Sequence, residues 1–144
     1  MRERDLLKHI YAANAGLPAD VGIPPGDDMG AVSVGGQQVL VTVDQVADGV
    51  HVDLANTPIE KTGRKAITRS LSDVAAMAAV PVGAVAAASL KRDFGEPRAE
   101  ALFDAMRQTA QSYQCPLIGG DISVWDGPTI LTVTVFAASD TVMS

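Results

Sequence analysis

The stretch NTPIEKTGRKAITRSLSDVAAMAAVPVGAVAAASL, residues 56–90, decides the fold. Its first half repeats apolar residues at helical spacing, and its second half does not. Thr57, Pro58 and Glu60 predict a helix start: a hydroxyl N-cap, a proline at the first helical position, and an acidic residue that completes a capping box. The helix is expected to run to about Ala79, with Ile59, Ala66, Ile67, Ser70, Leu71, Val74 and Met77 on its inner side. Pro81 and Gly83 then break the pattern, and residues 82–89 read as a short apolar strand. The uncharged run 74–90 is therefore a buried helix end followed by a buried strand, since a proline and a glycine interrupt any membrane span.

The rest of the chain extends this alternation. Residues 2–14 read as a helix with Leu6, Leu7, Ile10 and Tyr11 on one stripe. After a Pro/Gly loop, AVSV (31–34), Gly35-Gly36 and QQVLVTVDQV (37–46) predict a hairpin. Pro97 opens a further helix carrying Leu102, Phe103, Met106 and Tyr113. PLIGGD (116–121) and TILTVTVFA (129–137) are strands on either side of the turn DGP. The order α-β-β-α-β-α-β-β predicts an α+β fold, a mixed sheet covered by helices on one face.

With 144 residues, 47% hydrophobic and 19% charged, the sequence is that of one globular domain spanning 1–144. Its net charge of −6 argues against nucleic acid as a partner, because phosphate backbones are bound by clustered Lys and Arg. The opening MRERDLLKHI lacks the continuous apolar core of a signal peptide, and no membrane partner is expected. The lone Cys115 fits a reducing cytoplasm and reads as a small core residue before Pro116.

Four acidic positions stand out. Asp28, beside Asp27, lies in the loop PPGDDMGAV (24–32). Asp44 closes VLVTVD, and Asp121 closes PLIGGD. Asp73 falls seven residues after Ala66 and three after Ser70, on the apolar stripe of the long helix. A carboxylate there needs a proton, a base such as Lys65 or Arg69, or a metal ion. Each aspartate taken singly has a plainer reading as a turn or pairing residue; together they suggest a site for two or more Mg²⁺ at one end of a sheet. Such a site suits phosphoryl transfer from ATP, which needs charge neutralisation and in-line positioning. Neither GxxxxGK[ST] nor GxGxxG occurs, so metals and the backbone amides of Gly26–Gly30 and Gly119–Gly120 would hold the phosphates. His51 lies in the loop after Asp44, within reach of a substrate or of a structural partner.

GDDMGAV, VTVDQVADGVHV, KAITRSLSDVAAMAAVP and PLIGGD stand in the order and approximate spacing of the N-terminal half of thiamine-monophosphate kinase. The resemblance spans roughly residues 5–137. That family lies in the AIR synthetase (PurM) superfamily, with selenophosphate synthetase and a hydrogenase-maturation protein. The resemblance implies a PurM N-terminal-like domain, a four-stranded mixed sheet pairing with its twin in a homodimer. It implies Mg²⁺ ligation by Asp28, Thr42, Asp44, Asp73 and Asp121, with Asp44 and Asp73 central to catalysis. Asp27, Gly120 and Asp121 fall at the ATP phosphates, and His51 falls beside a small phosphorylated substrate, thiamine monophosphate.

The sequence departs from the family pattern in places. Val43 stands where the kinases usually carry a hydroxyl residue, and Ile122-Ser123-Val124 replaces Thr-Thr-Arg. The family's second α/β domain would follow the last residue here, so little turnover is expected from these 144 residues alone. An AIR synthetase-related enzyme with another acceptor, or a non-catalytic dimerisation or nucleotide-binding module, remains open at this point.

Overall fold

The structure, a computed structural model, describes residues 1–139. It resolves the stretch 56–90 into helix α2 (Ile59–Ala76) and strand β4 (Ala79–Lys91). Before them come α1 (Glu3–Ala12), a 3₁₀ turn at Asn14–Gly16, β1 (Val21–Ile23), β2 (Gly30–Val34) and β3 (Gln37–Ala47). After them come α3 (Glu96–Ser112), β5 (Leu117–Trp125) and β6 (Ile130–Ser139).

One sheet runs in the order β1-β2-β3-β6-β4-β5. Every pair is antiparallel except β4–β5, which is parallel and connected through α3. The fold is thus α+β, but with six strands rather than the four that the resemblance implies and one more than the five in the order read from the sequence. The short β1 hides in the Pro/Gly loop, where three residues carry no readable alternation.

Helices cover one face. Along β6, Leu131, Val133, Val135 and Ala137 are buried, and the register sets them beside Val46, Asp44, Thr42 and Leu40 of β3 and beside the alanines of β4. Alanine at positions 84, 86 and 88 leaves room for α2 and α3 to lie close to the sheet. The inner side of α2 is as read, with Ala66, Ile67, Ser70, Leu71 and Val74 buried and Ile59 and Met77 packed at its ends. Ser70 Oγ donates to the Val133 carbonyl at 2.9 Å, tying α2 to the central strand. Gly63 permits the approach of α3, since a Cβ there would stand 2.8 Å from the Ala105 Cβ and 3.0 Å from the Leu102 carbonyl.

Several boundaries differ from the sequence reading. Pro58, not Thr57, is the N-cap of α2, and no side-chain capping bond forms; the Thr57 amide instead donates to the Asp53 carbonyl. The helix stops at Ala76 because Ala78 takes a left-handed conformation, φ 52°, and β4 begins at once. The α1 stripe is not core: Leu6, Ile10 and Tyr11 are exposed. Tyr113 caps α3 at the surface rather than packing inward. Asp44 and Asp121 do not close their strands, since β3 runs on to Ala47 and β5 to Trp125. Cys115 is buried, and that burial raises its thiol pKa, as befits a core residue.

Candidate metal centre

The site follows from where β2 begins. Gly30 is the first residue of β2 and pairs with Val41, so beyond that point β3 has no neighbour on that side. The Asp27-Asp28 loop arrives there, alongside Thr42 to Asp44. The flank of α2 formed by Lys65, Arg69 and Asp73, at i, i+4 spacing, runs antiparallel to this segment of β3. Three contacts join them in sequence. Lys65 Nζ donates to the His51 carbonyl, Arg69 Nη2 lies 3.3 Å from Asp44 Oδ1, and the Thr42 hydroxyl donates to Asp73 Oδ2 at 3.0 Å.

Asp73 is therefore not paired with Lys65 or Arg69. Its pKa is raised, first by burial and then by a hydrogen-bonded contact with the Asp44 carboxyl, with further repulsion from the charges of Asp44 and Asp28; the Thr42 hydroxyl partly offsets this. Three carboxylates and a hydroxyl are thus gathered with one arginine among them. The oxygen-only donor set fits a hard divalent cation such as Mg²⁺. Among the described residues, no three Asp, Glu, His or Cys side chains stand close enough together to hold one metal ion by themselves, so water or phosphate oxygens would have to complete the coordination.

The other candidate residues lie elsewhere. Asp27 Oδ1 accepts from the Asp28 amide at 2.9 Å, the local bond of a turn, and the charge of the Asp28 carboxylate adds to that of Asp44 on Asp73. Asp121 sits in a row with Ala87, Thr132 and Gln45, whereas Asp44 shares the next row with Val133, Ala86 and Gly120. Adjacent rows point to opposite faces, so Asp121 faces away from the helices, three strand spacings (roughly 14 Å) from β3. It does not join Asp28, Asp44 and Asp73 within one chain. Gly120 has a packing reason of its own, since a Cβ there would meet the Ala86 carbonyl at 1.9 Å.

His51 lies between two clefts. Its Nδ1 accepts from the Ala47 amide at 2.9 Å, leaving Nε2 to carry the proton outward. One cleft, about 350 Å³, is lined by Val43, Asp44, Gln45, His51, Arg69 and Thr132. The other, about 560 Å³, holds His51 with Lys61, Lys65 and Thr57, which lies in the loop just before α2. Lys61 was not singled out in the sequence, and Lys65, considered there as a partner for Asp73, instead reaches the His51 carbonyl. The signal was present in the spacing 61, 65, 69 and 73 along one flank of the helix.

A family model for the N-terminal domain of AIR synthase related protein matches residues 26–139. Thiamine-monophosphate kinase of Rhodopirellula baltica is 30% identical over 142 residues, 92% of this chain and 44% of that protein. The same enzyme of Synechococcus elongatus is 36% identical over 99 residues, 68% of this chain and 30% of that protein. Among solved structures, AaThiL complexed with AMPPCP and TMP superposes with a TM-score of 0.77 at 26% identity, covering 95% of this chain and 43% of that one. The chain spans less than half the length of these relatives. On the match across 26–139 and the mixed sheet with its helical layer, the chain belongs to the AIR synthase related family, of which it is the PurM-like N-terminal domain.

Proposed function

We propose that this chain is the metal- and ATP-binding half of an Mg²⁺-dependent phosphotransferase of the thiamine-monophosphate kinase type. Its product would be thiamine diphosphate. The observation that carries this reading is the grouping of Asp28, Thr42, Asp44 and Asp73 at the free end of β3, where like charge gathers beyond what Arg69 neutralises. Similarity to kinases of that name, and to a neighbour holding AMPPCP and TMP, supports the choice of nucleotide and acceptor.

Asp44 and Asp73 would hold Mg²⁺ directly, with Asp28 and the Thr42 hydroxyl completing the near side. Bound there, the ion would neutralise the phosphate oxygens of ATP and the charge that develops as the γ-phosphoryl moves. His51 Nε2, Lys61 and Lys65 line a cleft suited to the phosphate of the acceptor. Asp121 and the amides about Gly120 would meet the nucleotide at a separate place on the sheet, and Asp27 would shape the loop that presents Asp28. The helix-free face of the sheet exposes Val32, Val34 and Val43, which supports a homodimer through that face.

Calorimetric titration with ATP in the presence of Mg²⁺ tests the reading. Binding that disappears in chelator and in Asp73→Ala is expected. A folded protein that ignores MgATP would leave a dimerisation module as the account. The complete gene product, given ATP and thiamine monophosphate, tests the acceptor: ATP binding without thiamine diphosphate would point to another substrate. Sedimentation as a monomer at high concentration would remove the sheet-mediated dimer.

A further inference from the structure

Arg69 is the one residue in salt-bridge contact with Asp44 or Asp73 among the described residues. The contact is made by a single nitrogen at 3.3 Å, longer than a two-pronged arginine–carboxylate pair. Its Nε is buried and has no hydrogen-bond partner among the described residues. An arginine placed for its own stability would satisfy that N–H. The guanidinium is held beside Asp44 by charge, at the cost of one unmade bond. The cleft of about 350 Å³ that Arg69 lines with His51 and Gln45 gives the side chain room to turn away.

We propose that Arg69 is a built-in counter-ion of the metal-free centre, which a divalent cation displaces from Asp44. The proposal rests on the reading of the acid cluster as a Mg²⁺ site. One carboxylate oxygen cannot serve guanidinium and metal equally well, and a fixed positive charge beside the site repels the incoming ion. Arg69 therefore lowers metal affinity while keeping Asp44 and Asp73 in place without metal. It is a positioning residue, and its effect is read in binding rather than turnover.

The test is Mn²⁺ titration of the nucleotide-free protein, followed by the electron paramagnetic resonance of free Mn²⁺, for the parent, Arg69→Gln, Arg69→Lys and Asp73→Asn. Arg69→Gln is expected to bind Mn²⁺ about fivefold tighter, the scale of a half-exposed ion pair, and Arg69→Lys to lie near the parent. Equal or weaker binding by Arg69→Gln overturns the proposal, because an arginine that merely orients Asp44 gives that sign. If Asp73→Asn loses binding while Arg69→Gln matches the parent, the metal centre stands and the counter-ion falls. If the parent itself binds no Mn²⁺, both fall. A second readout needs no variant: the Arg69 Nε–H resonance of the parent is expected to shift, and its hydrogen exchange to accelerate, on saturation with Mg²⁺. An Arg69 signal that Mg²⁺ leaves unchanged also overturns the proposal.

Discussion

Replacing Asp73 with Asn should change the sign of its effect on stability according to whether Mg²⁺ is present. The carboxamide oxygen that Asp73→Asn introduces can still accept from the Thr42 hydroxyl, a bond 3.0 Å long in the parent, so no hydrogen bond to β3 need be lost. What disappears is one negative charge beside Asp44 and near Asp28. Because Asp73 is only half-buried, the solvent-screened limit applies, and one like charge in contact costs about 1 kcal/mol. In chelator at neutral pH, Asp73→Asn should therefore be more stable than the parent by about 1 kcal/mol, or roughly 4 °C in melting temperature for a domain of this size. Saturating Mg²⁺ reverses the order. At a hundredfold excess over its dissociation constant the ion adds about 2.7 kcal/mol to a protein that binds it only when folded, while the variant gains little. The variant should then be the less stable by about 1.7 kcal/mol, the difference of those two figures. Thermal melts in EDTA and in MgCl₂ decide the matter. The same sign in both buffers would refute the reasoning, because a structural role for Asp73 has no reason to depend on Mg²⁺.

Further expectations follow from the same contacts. Because the pKa of Asp73 is raised on folding, its protonated form is favoured in the native state; the associated stability is complete below the ordinary carboxylate pKa and is lost as pH rises through the raised one. Metal-free parent protein should accordingly lose stability relative to Asp73→Asn across that interval, as urea titrations at stepped pH would record. Asp121→Asn, on the opposite face and three strands away, should leave Mn²⁺ affinity of the nucleotide-free chain within about twofold of the parent, given the screening over such a distance; a larger loss would place Asp121 in the cluster after all. Gly63→Val should cost about 1–3 kcal/mol in urea unfolding, since its side chain would enter the contact between α2 and the Leu102–Met106 turn of α3. Met106→Ala, at a fully buried position, should cost about 2–5 kcal/mol by the same measurement.

The parts of the fold visible in the sequence were those governed by local pattern. The inner stripe of α2 and the glycine turn of the β2–β3 hairpin follow from spacing alone. Boundaries failed where a tertiary contact outranked a local signal: Thr57 gives its amide to Asp53 instead of forming a capping box, and β4 begins two residues before Pro81 because β6 pairs with it there. In the site, Asp28, Asp44 and Asp73 were identifiable because carboxylates beside apolar runs demand partners. Their convergence at one end of a sheet was expected, but its place was not legible, since it depends on β2 beginning only at Gly30 and leaving the edge of β3 beyond Val41 open. Asp121 shows the opposite limit. Its motif is distinct, but which face of the sheet it takes is set by the register of β5 on β4, including an irregularity at Ala84 and Val85 that no sequence pattern announces. Arg69 was noted as a possible partner for Asp73, yet it reaches Asp44, the carboxylate across the helix–sheet boundary.

Anomalous scattering from crystals grown with Mn²⁺ and a non-hydrolysable ATP analogue would test the metal centre most directly. The account predicts a peak bonded to the carboxylates of Asp44 and Asp73, with Asp28 beside it and the triphosphate on its far side. Ordered nucleotide with no manganese at those two carboxylates would contradict it.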